Sequence, residues 1–157
     1  MMFFEVFNAN FWAIFGGALA FFLAAAGSAK GVSIAGEAAS GVVAEDTDKF
    51  VNVMILEALP STQGIYGFVI AFMIMAAMTE LGSAITMQQG LTLFVAGLPI
   101  GIVGMFSGIY QGRVAAASIG IVAKRSGDMV KGIILTLMVE LFAIFGLLIS
   151  ILMVGRV

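Results

Sequence analysis

Cysteine and histidine are both missing from this chain of 157 residues. Their absence excludes disulfides, thiolate or imidazole metal sites, and catalytic triads or dyads that need either side chain. Charged residues are also scarce, at 10% of the chain against roughly 25% in an average soluble domain. Because 62% of the residues are hydrophobic and the mean hydropathy is +1.17, the composition is that of a membrane protein whose polar chemistry depends on oxygen ligands.

The sequence lacks the features expected for nucleic-acid binding, for ATP binding and for a cleaved signal peptide. With 7 basic and 9 acidic residues, the chain has no basic excess of the kind that binds nucleic acid. No G-x-x-x-x-G-K-[ST] segment occurs, so we do not expect this chain to bind ATP itself. Glu5 lies where a signal peptide would have basic residues, and we therefore expect the first helix to be retained.

Three polar clusters interrupt the apolar sequence, at Glu45–Lys49, Thr79–Ser83 and Lys124–Asp128. A transmembrane helix needs about 20 mostly apolar residues, and each uninterrupted stretch is longer than that. We predict an all-α membrane protein with four transmembrane helices, at about 10–44, 50–78, 86–123 and 129–154. Six of the seven basic residues lie on the side of the first and third loops. The positive-inside rule therefore predicts that these two loops are cytoplasmic and that both termini lie outside.

The sequence contains an internal repeat. Two pairs of segments align at offsets of 81 and 79 residues, namely Gly27–Gly31 with Gly108–Gly112 and Ile65–Phe68 with Ile144–Leu147. We therefore predict two tandem helical hairpins in the same orientation, formed by residues 1–80 and 81–157. In this register Ser61 lies opposite Glu140, so one hairpin has a carboxylate in mid-helix and the other has none.

Small residues recur at four-residue spacing on the first and third helices, at Gly27, Gly31, Ala35 and Ala39 and at Gly104, Gly108, Gly112, Ala116 and Gly120. Such faces let helix backbones approach closely in lipid. Two interpretations stay open: a packing seam inside one four-helix bundle, or the thin inner side of a wedge that assembles into a ring.

Glu140 is the central candidate for function because it lies well inside the fourth predicted helix. An unpaired charge at that depth costs from about 3 to more than 10 kcal/mol, so it needs a proton, a cation or a partner. A protonated acid in a packing hydrogen bond is the structural alternative.

The second predicted helix places Leu59, Thr62, Gln63 and Tyr66 on one face, at i, i+3, i+4 and i+7. Pro60 removes the N–H that would serve the carbonyl of residue 56, which can free backbone oxygen for other use.

Depth connects these residues across three helices. Thr62, Gln111 and Glu140 lie 13, 13 and 15 residues from the predicted cytoplasmic loop ends, so they share one level in the membrane. A hydroxyl, amide oxygens and one carboxylate suit a hard cation, and a single negative charge balances Na⁺ better than a divalent ion.

Four segments of the sequence resemble the proteolipid rotor subunit, known as K or c, of V-type ATPases, and specifically its sodium-translocating bacterial form. The resemblance rests on Gly27–Val32, Leu59–Phe72, Phe106–Ala117 and Met138–Glu140. It implies a ring of about ten identical subunits in the bacterial inner membrane, which translocates Na⁺ while a separate soluble head hydrolyses or makes ATP. The chain itself would not be an enzyme.

The resemblance also implies roles for single residues. It assigns Na⁺ binding to the Leu59 carbonyl, Thr62, Gln63, Gln111 and Glu140, with Tyr66 closing the site by a hydrogen bond to the glutamate. It implies lipid around the ring, a stator protein that supplies an arginine, and a central stalk. The predicted cytoplasmic loops at 45–49 and 124–131 are candidates for docking the stalk, and simple solvated turns are the open alternative.

Two positions depart from that family pattern. Ser61 stands where family members have glycine, and Glu57 stands where many have glutamine. Glu57 is either a second carboxylate near the ion path or a protonated or cytoplasm-facing residue that pairs with a basic neighbour, for which Lys30 is the candidate.

Three other functions fit parts of the sequence. The first is a proton rotor of the same fold, in which only Glu140 would be needed. The second is a small proton-coupled four-helix transporter. The position of the single tryptophan argues against it, because Trp12 lies near a membrane edge rather than in a substrate cavity. The third is a purely structural oligomer, in which residues matched in depth with Glu140 would have no use.

Overall fold

The computed structural model describes residues 7–157, which are helical almost throughout. The helices are α1 (Ala9–Glu45), α2 (Phe50–Ala58), α3 (Thr62–Leu81), α4 (Met87–Lys124) and α5 (Met129–Val154). Because α2 and α3 continue each other across a short turn, the described chain forms four segments long and apolar enough to cross a membrane. The predicted all-α fold with four spans is confirmed. Glu5, on which the expectation about a signal peptide depends, lies outside the described residues.

The second span is interrupted where the sequence contains Pro60. A 3₁₀ turn at Leu59–Ser61 separates α2 from α3, because proline has no N–H to continue the α-helical ladder. At its other end α3 continues to Leu81 and stops at Gly82, whose φ of 59° favours glycine. The predicted division of the chain at residue 80 therefore falls inside α3 and stays a prediction.

Side-chain caps define where the first and third spans begin. The Asn8 side chain accepts a hydrogen bond from the Phe11 N–H at 2.9 Å before α1. Before α4, the Thr86 N–H donates to Gln89 Oε1 at 2.9 Å, and the Gln89 N–H donates back to Thr86 Oγ1 at 3.3 Å. These bonds satisfy N–H groups that have no partner inside the helix.

Glycines form a seam along which α1 and α4 touch. A Cβ added at Gly31 would collide with the Gly108 carbonyl, and one at Gly112 would collide with the backbone of Gly31. Because backbone atoms cannot move aside like a flexible side chain, only glycine allows this approach. The small-residue faces of the two helices are therefore packed on each other within one chain.

Two apolar clusters fill the interior, and a polar layer lies between them along the helices. One cluster includes Ile70 and Ile100, and the other includes Leu56 and Ile119. The buried polar residues of this layer on α3, α4 and α5 are Gln63, Ser107, Gln111, Thr136 and Glu140, and Ser28 lies at a similar position on α1. The Lys49 ammonium donates to the carbonyl of Ala123 at 2.8 Å, so the first and third loops lie at the same end of the molecule.

Candidate functional site

The carboxylate of Glu140 is the centre of the polar layer. Glu140 lies on α5 and is only 7% exposed. The Tyr66 hydroxyl on α3 donates to Oε1 at 2.6 Å, and Gln111 Nε2 on α4 donates to Oε2 at 3.2 Å. Three spans thus meet at one carboxylate, and each of its oxygens accepts a hydrogen bond from a neutral donor.

No basic side chain neutralises Glu140 within residues 7–157. The three ion pairs in this part of the chain all lie at the first and third loops, and they are Lys49–Asp46, Arg125–Asp128 and Lys131–Asp128. A buried carboxylate needs a compensating charge or a proton. The compensation for Glu140 must therefore come from a bound proton, a cation or a partner molecule.

Two buried glutamines lie beside the carboxylate, and neither side chain is exposed. Gln63 Nε2 on α3 donates to Gln111 Oε1 at 2.5 Å and to Ser107 Oγ at 3.3 Å. Gln111 Nε2 also donates to the Thr136 carbonyl at 3.3 Å. Gln63 Oε1 is buried and has no hydrogen-bond partner in the described chain, so its lone pairs are free to bind a cation.

Leu59 and Thr62 lie at the turn that Pro60 creates. The Leu59 carbonyl accepts hydrogen bonds from the Thr62 N–H and, at 3.2 Å, from the Thr62 hydroxyl. Thr62 also lies beside Tyr66. Among the described residues no hydrogen bond joins Leu59 or Thr62 to Glu140 or to the glutamines. Of the five predicted ligands and Tyr66, the structure therefore joins four by hydrogen bonds, while Thr62 adjoins the group through Tyr66 and Leu59 lies at its edge.

Glu57 lies apart from this cluster. Its carboxylate covers Gly36 of α1, where an added Cβ would come within 2.8 Å of Glu57 Oε1. The predicted pairing with Lys30 is wrong for the described chain, in which no ion pair within 4.0 Å joins the two residues. The physical reason is depth: Gly36 is about 9 Å further along α1 than Lys30, at 1.5 Å per residue.

Sequence reasoning missed two serines that hold the site together. Ser107 Oγ accepts from Gln63 and donates to the Val139 carbonyl at 3.0 Å. Ser28 Oγ on α1 accepts from the Gly64 N–H at 2.8 Å, next to the turn in the second span. The spacing could have indicated the role of Ser107, because Ser107 precedes Gln111 by four residues and therefore lies on the same face of the helix.

The arrangement combines one carboxylate, two amide side chains and a hydroxyl donor inside the span. Oxygen ligands of this kind suit a hard cation, and one formal negative charge matches a monovalent ion. A proton would need only the carboxylate.

The sequence profile of the ATP synthase C-subunit family matches two segments, residues 15–74 and 94–153. The two segments begin 79 residues apart, which is the offset of the second part of the internal repeat.

Individual relatives point in the same direction. The chain is 52% identical over 128 residues to the V-type sodium ATPase subunit K of Enterococcus hirae, a match that covers 82% of this chain and 80% of that protein. It is 42% identical to the A-type ATP synthase subunit K of Methanocaldococcus jannaschii, over 90% of this chain and 62% of that protein. It is 26% identical to the 16 kDa proteolipid of the V-type proton ATPase of Nephrops norvegicus, over 90% of this chain and 88% of that protein.

Proposed function

Because the chain belongs to the ATP synthase C-subunit family, we propose that it is a rotor-ring subunit of a V-type rotary ATPase that binds and translocates Na⁺. The chain is a multi-pass, non-catalytic membrane component of such a complex. Hydrolysis or synthesis of ATP takes place elsewhere in the complex, and ring rotation couples it to ion movement.

The observation that supports Na⁺ most directly is the buried oxygen of Gln63. This oxygen is completely buried, has no hydrogen-bond partner in the described chain, and belongs to a side chain linked through Gln111 to the Glu140 carboxylate. Leaving a buried acceptor unsatisfied costs about 1–3 kcal/mol. A cation bound here would both satisfy the Gln63 oxygen and balance the negative charge of Glu140.

The proposed ligands are the Leu59 carbonyl, the Thr62 hydroxyl, the side-chain oxygens of Gln63 and Gln111, and the Glu140 carboxylate. The Thr62 hydroxyl donates its proton to the Leu59 carbonyl, so the lone pairs of the Thr62 oxygen remain available for a cation. The hydrogen bond from Tyr66 holds Glu140 in place and keeps the site closed.

In the assembled complex, about ten copies form the ring, and each copy carries one ion. A stator membrane protein supplies an arginine that loosens each ion as its site passes. The central stalk contacts the first and third loops, which face the cytoplasm of a bacterial cell, while both termini lie outside. The hydrogen bond from Lys49 to the Ala123 carbonyl holds the two loops at the same end of the molecule, which is compatible with a single docking surface for the stalk.

A proton is the second candidate ion. Matches to V-type proton ATPase proteolipids favour it, and a protonated Glu140 needs no further ligand. In that case the free oxygen of Gln63 has no function, which is why Na⁺ is preferred here.

The deciding experiment is ²²Na⁺ binding to the purified oligomer in mild detergent, with Glu140→Gln as the control. We expect saturable binding of about one Na⁺ per chain, lost in the variant because the neutral amide cannot balance the ion. Absence of Na⁺ binding in the unmodified protein, with Glu140 modified by a carbodiimide at the same rate with and without Na⁺, would establish a proton site instead. An oligomer no larger than a dimer would exclude the rotor ring.

A further inference from the structure

Ser107 is a buried hydroxyl in the polar layer that the proposed ligand set does not use. It lies on α4 and is 5% exposed. Its oxygen accepts a hydrogen bond from Gln63 Nε2 at 3.3 Å, and its own proton goes to the Val139 carbonyl at 3.0 Å. The donor and acceptor roles of the hydroxyl are therefore both in use, and they connect α4 with α3 and with α5.

These contacts determine which way the amide of Gln63 can face. An amide nitrogen has two hydrogens, and those of Gln63 are directed at Gln111 Oε1 and at Ser107 Oγ. If the amide turned over, its oxygen would face the Gln111 oxygen and a serine oxygen whose proton is already donated to Val139. Two acceptors would then meet without a proton between them, so the observed orientation is favoured.

We infer that Ser107 is a positioning residue for ion binding: it holds the Gln63 amide so that the oxygen, and not the NH₂ group, is free for the cation. The inference rests on the proposed Na⁺ site, of which Gln63 is a member. Without the Ser107 hydroxyl, only the bond to Gln111 holds the amide, so the turned orientation, whose N–H donors repel a cation, is opposed less strongly.

The test compares Na⁺ affinity in four forms of the assembled oligomer: unmodified, Ser107→Ala, Ser107→Thr and Ser118→Ala. Ser118 is the matched control, because it lies on the same helix, is 1% exposed and contacts an α5 carbonyl, that of Gly132, at 3.2 Å. Ser118 also accepts from the Thr136 hydroxyl at 3.4 Å, and within the described chain it makes no hydrogen bond with either glutamine. Affinity is measured with ²²Na⁺, with Li⁺ as a competitor, and the carbodiimide modification rate of Glu140 is measured without Na⁺.

We expect Na⁺ to bind about three to ten times more weakly in Ser107→Ala, the effect of one lost hydrogen bond. Ser107→Thr retains the hydroxyl and should restore most of the affinity, while Ser118→Ala should change it less than about twofold. The modification rate without Na⁺ should stay unchanged in all forms, and the ratio of Li⁺ to Na⁺ affinity should change only in Ser107→Ala.

Equal losses in Ser107→Ala and Ser118→Ala, or no loss in Ser107→Ala, would overturn the inference. If Ser107→Ala does not assemble, Ser107→Cys makes the same test, since sulfur is a weak acceptor and should lower the affinity. If the unmodified protein binds no Na⁺, the proposed function fails first, so the two failures are distinguishable.

Discussion

The two hairpins align as a repeat, but equivalent positions in them differ in burial and hydrogen bonding where the candidate site lies. Glu140 in the second hairpin is buried and accepts two hydrogen bonds, whereas Ser61 in the first is exposed and its hydroxyl donates to the Ala58 carbonyl at 2.6 Å. Gln111 is likewise buried, whereas its counterpart Lys30 is exposed. The repeat therefore preserves the helices and not the site.

Both hairpins contribute side chains to the one polar cluster around Glu140. The first hairpin contributes Tyr66 and Gln63, and the second contributes Gln111 and Glu140. A carboxylate in the first hairpin would lack these neighbours, because Ser61 faces away from the polar layer. One site for every four helices is the consequence.

Moving the carboxylate to the other hairpin gives the largest expected effect. The double variant Glu140→Gln, Ser61→Glu keeps the number of acidic residues, but we expect it to bind no Na⁺, because position 61 is exposed and its described hydrogen bond is to the Ala58 carbonyl rather than to the polar layer. Binding of ²²Na⁺ to the purified oligomer measures this. Restored binding would mean that the hairpins are functionally equivalent.

The second largest effect is expected at the glycine seam, where α1 of the first hairpin packs on α4 of the second. Gly31→Ala puts a methyl group into the Gly108 backbone, and we expect it to destabilise the protein by about 3 kcal/mol or to prevent assembly. Thermal unfolding in detergent measures the effect. Gly41→Ala is the control, since nothing lies within 4 Å of its added Cβ and stability should not fall. Equal behaviour of the two variants would contradict a tight seam.

Removing the hydroxyl from Tyr66 tests what the first hairpin adds to the site. Tyr66→Phe loses the 2.6 Å hydrogen bond to Glu140, and we expect Na⁺ to bind about tenfold or more weakly, since bonds to charged groups contribute about 1.5–3 kcal/mol. Na⁺ binding and the rate of Na⁺ release both measure the change. Tyr110→Phe is the matched control, because that ring is exposed, lies under the Arg113 guanidinium and makes no hydrogen bond with Glu140, whose described donors are Tyr66 and Gln111. A loss of the same size in both variants would argue against a specific role for Tyr66.

The smallest effect is expected at Glu57, on α2 of the first hairpin. Glu57→Gln should change Na⁺ affinity less than about twofold and leave its pH dependence unaltered, because the carboxylate lies over Gly36 and makes no hydrogen bond with the polar layer. Titration of ²²Na⁺ binding from low to high pH measures both quantities. A clear shift in either would make Glu57 a second carboxylate of the ion path.

The number of spans and the depth of the polar residues could be predicted from the amino-acid sequence alone. Hydropathy over about 20 residues and the constant rise of a helix are local properties, so they can be read without knowing any tertiary contact. They placed Gln111 and Glu140 at one level, and the structure joins these two residues by a hydrogen bond.

Which side chains meet at that level depends on the packing between helices. Depth does not specify how each helix is turned about its own axis, and here the close backbone contact of α1 with α4 at Gly31 and Gly112 limits that rotation. This is why the role of Ser107 in holding Gln63 was not predicted and why Glu57 lies beside Gly36 instead of Lys30. The spacing of residues along one helix sets their level, whereas packing between helices sets their direction.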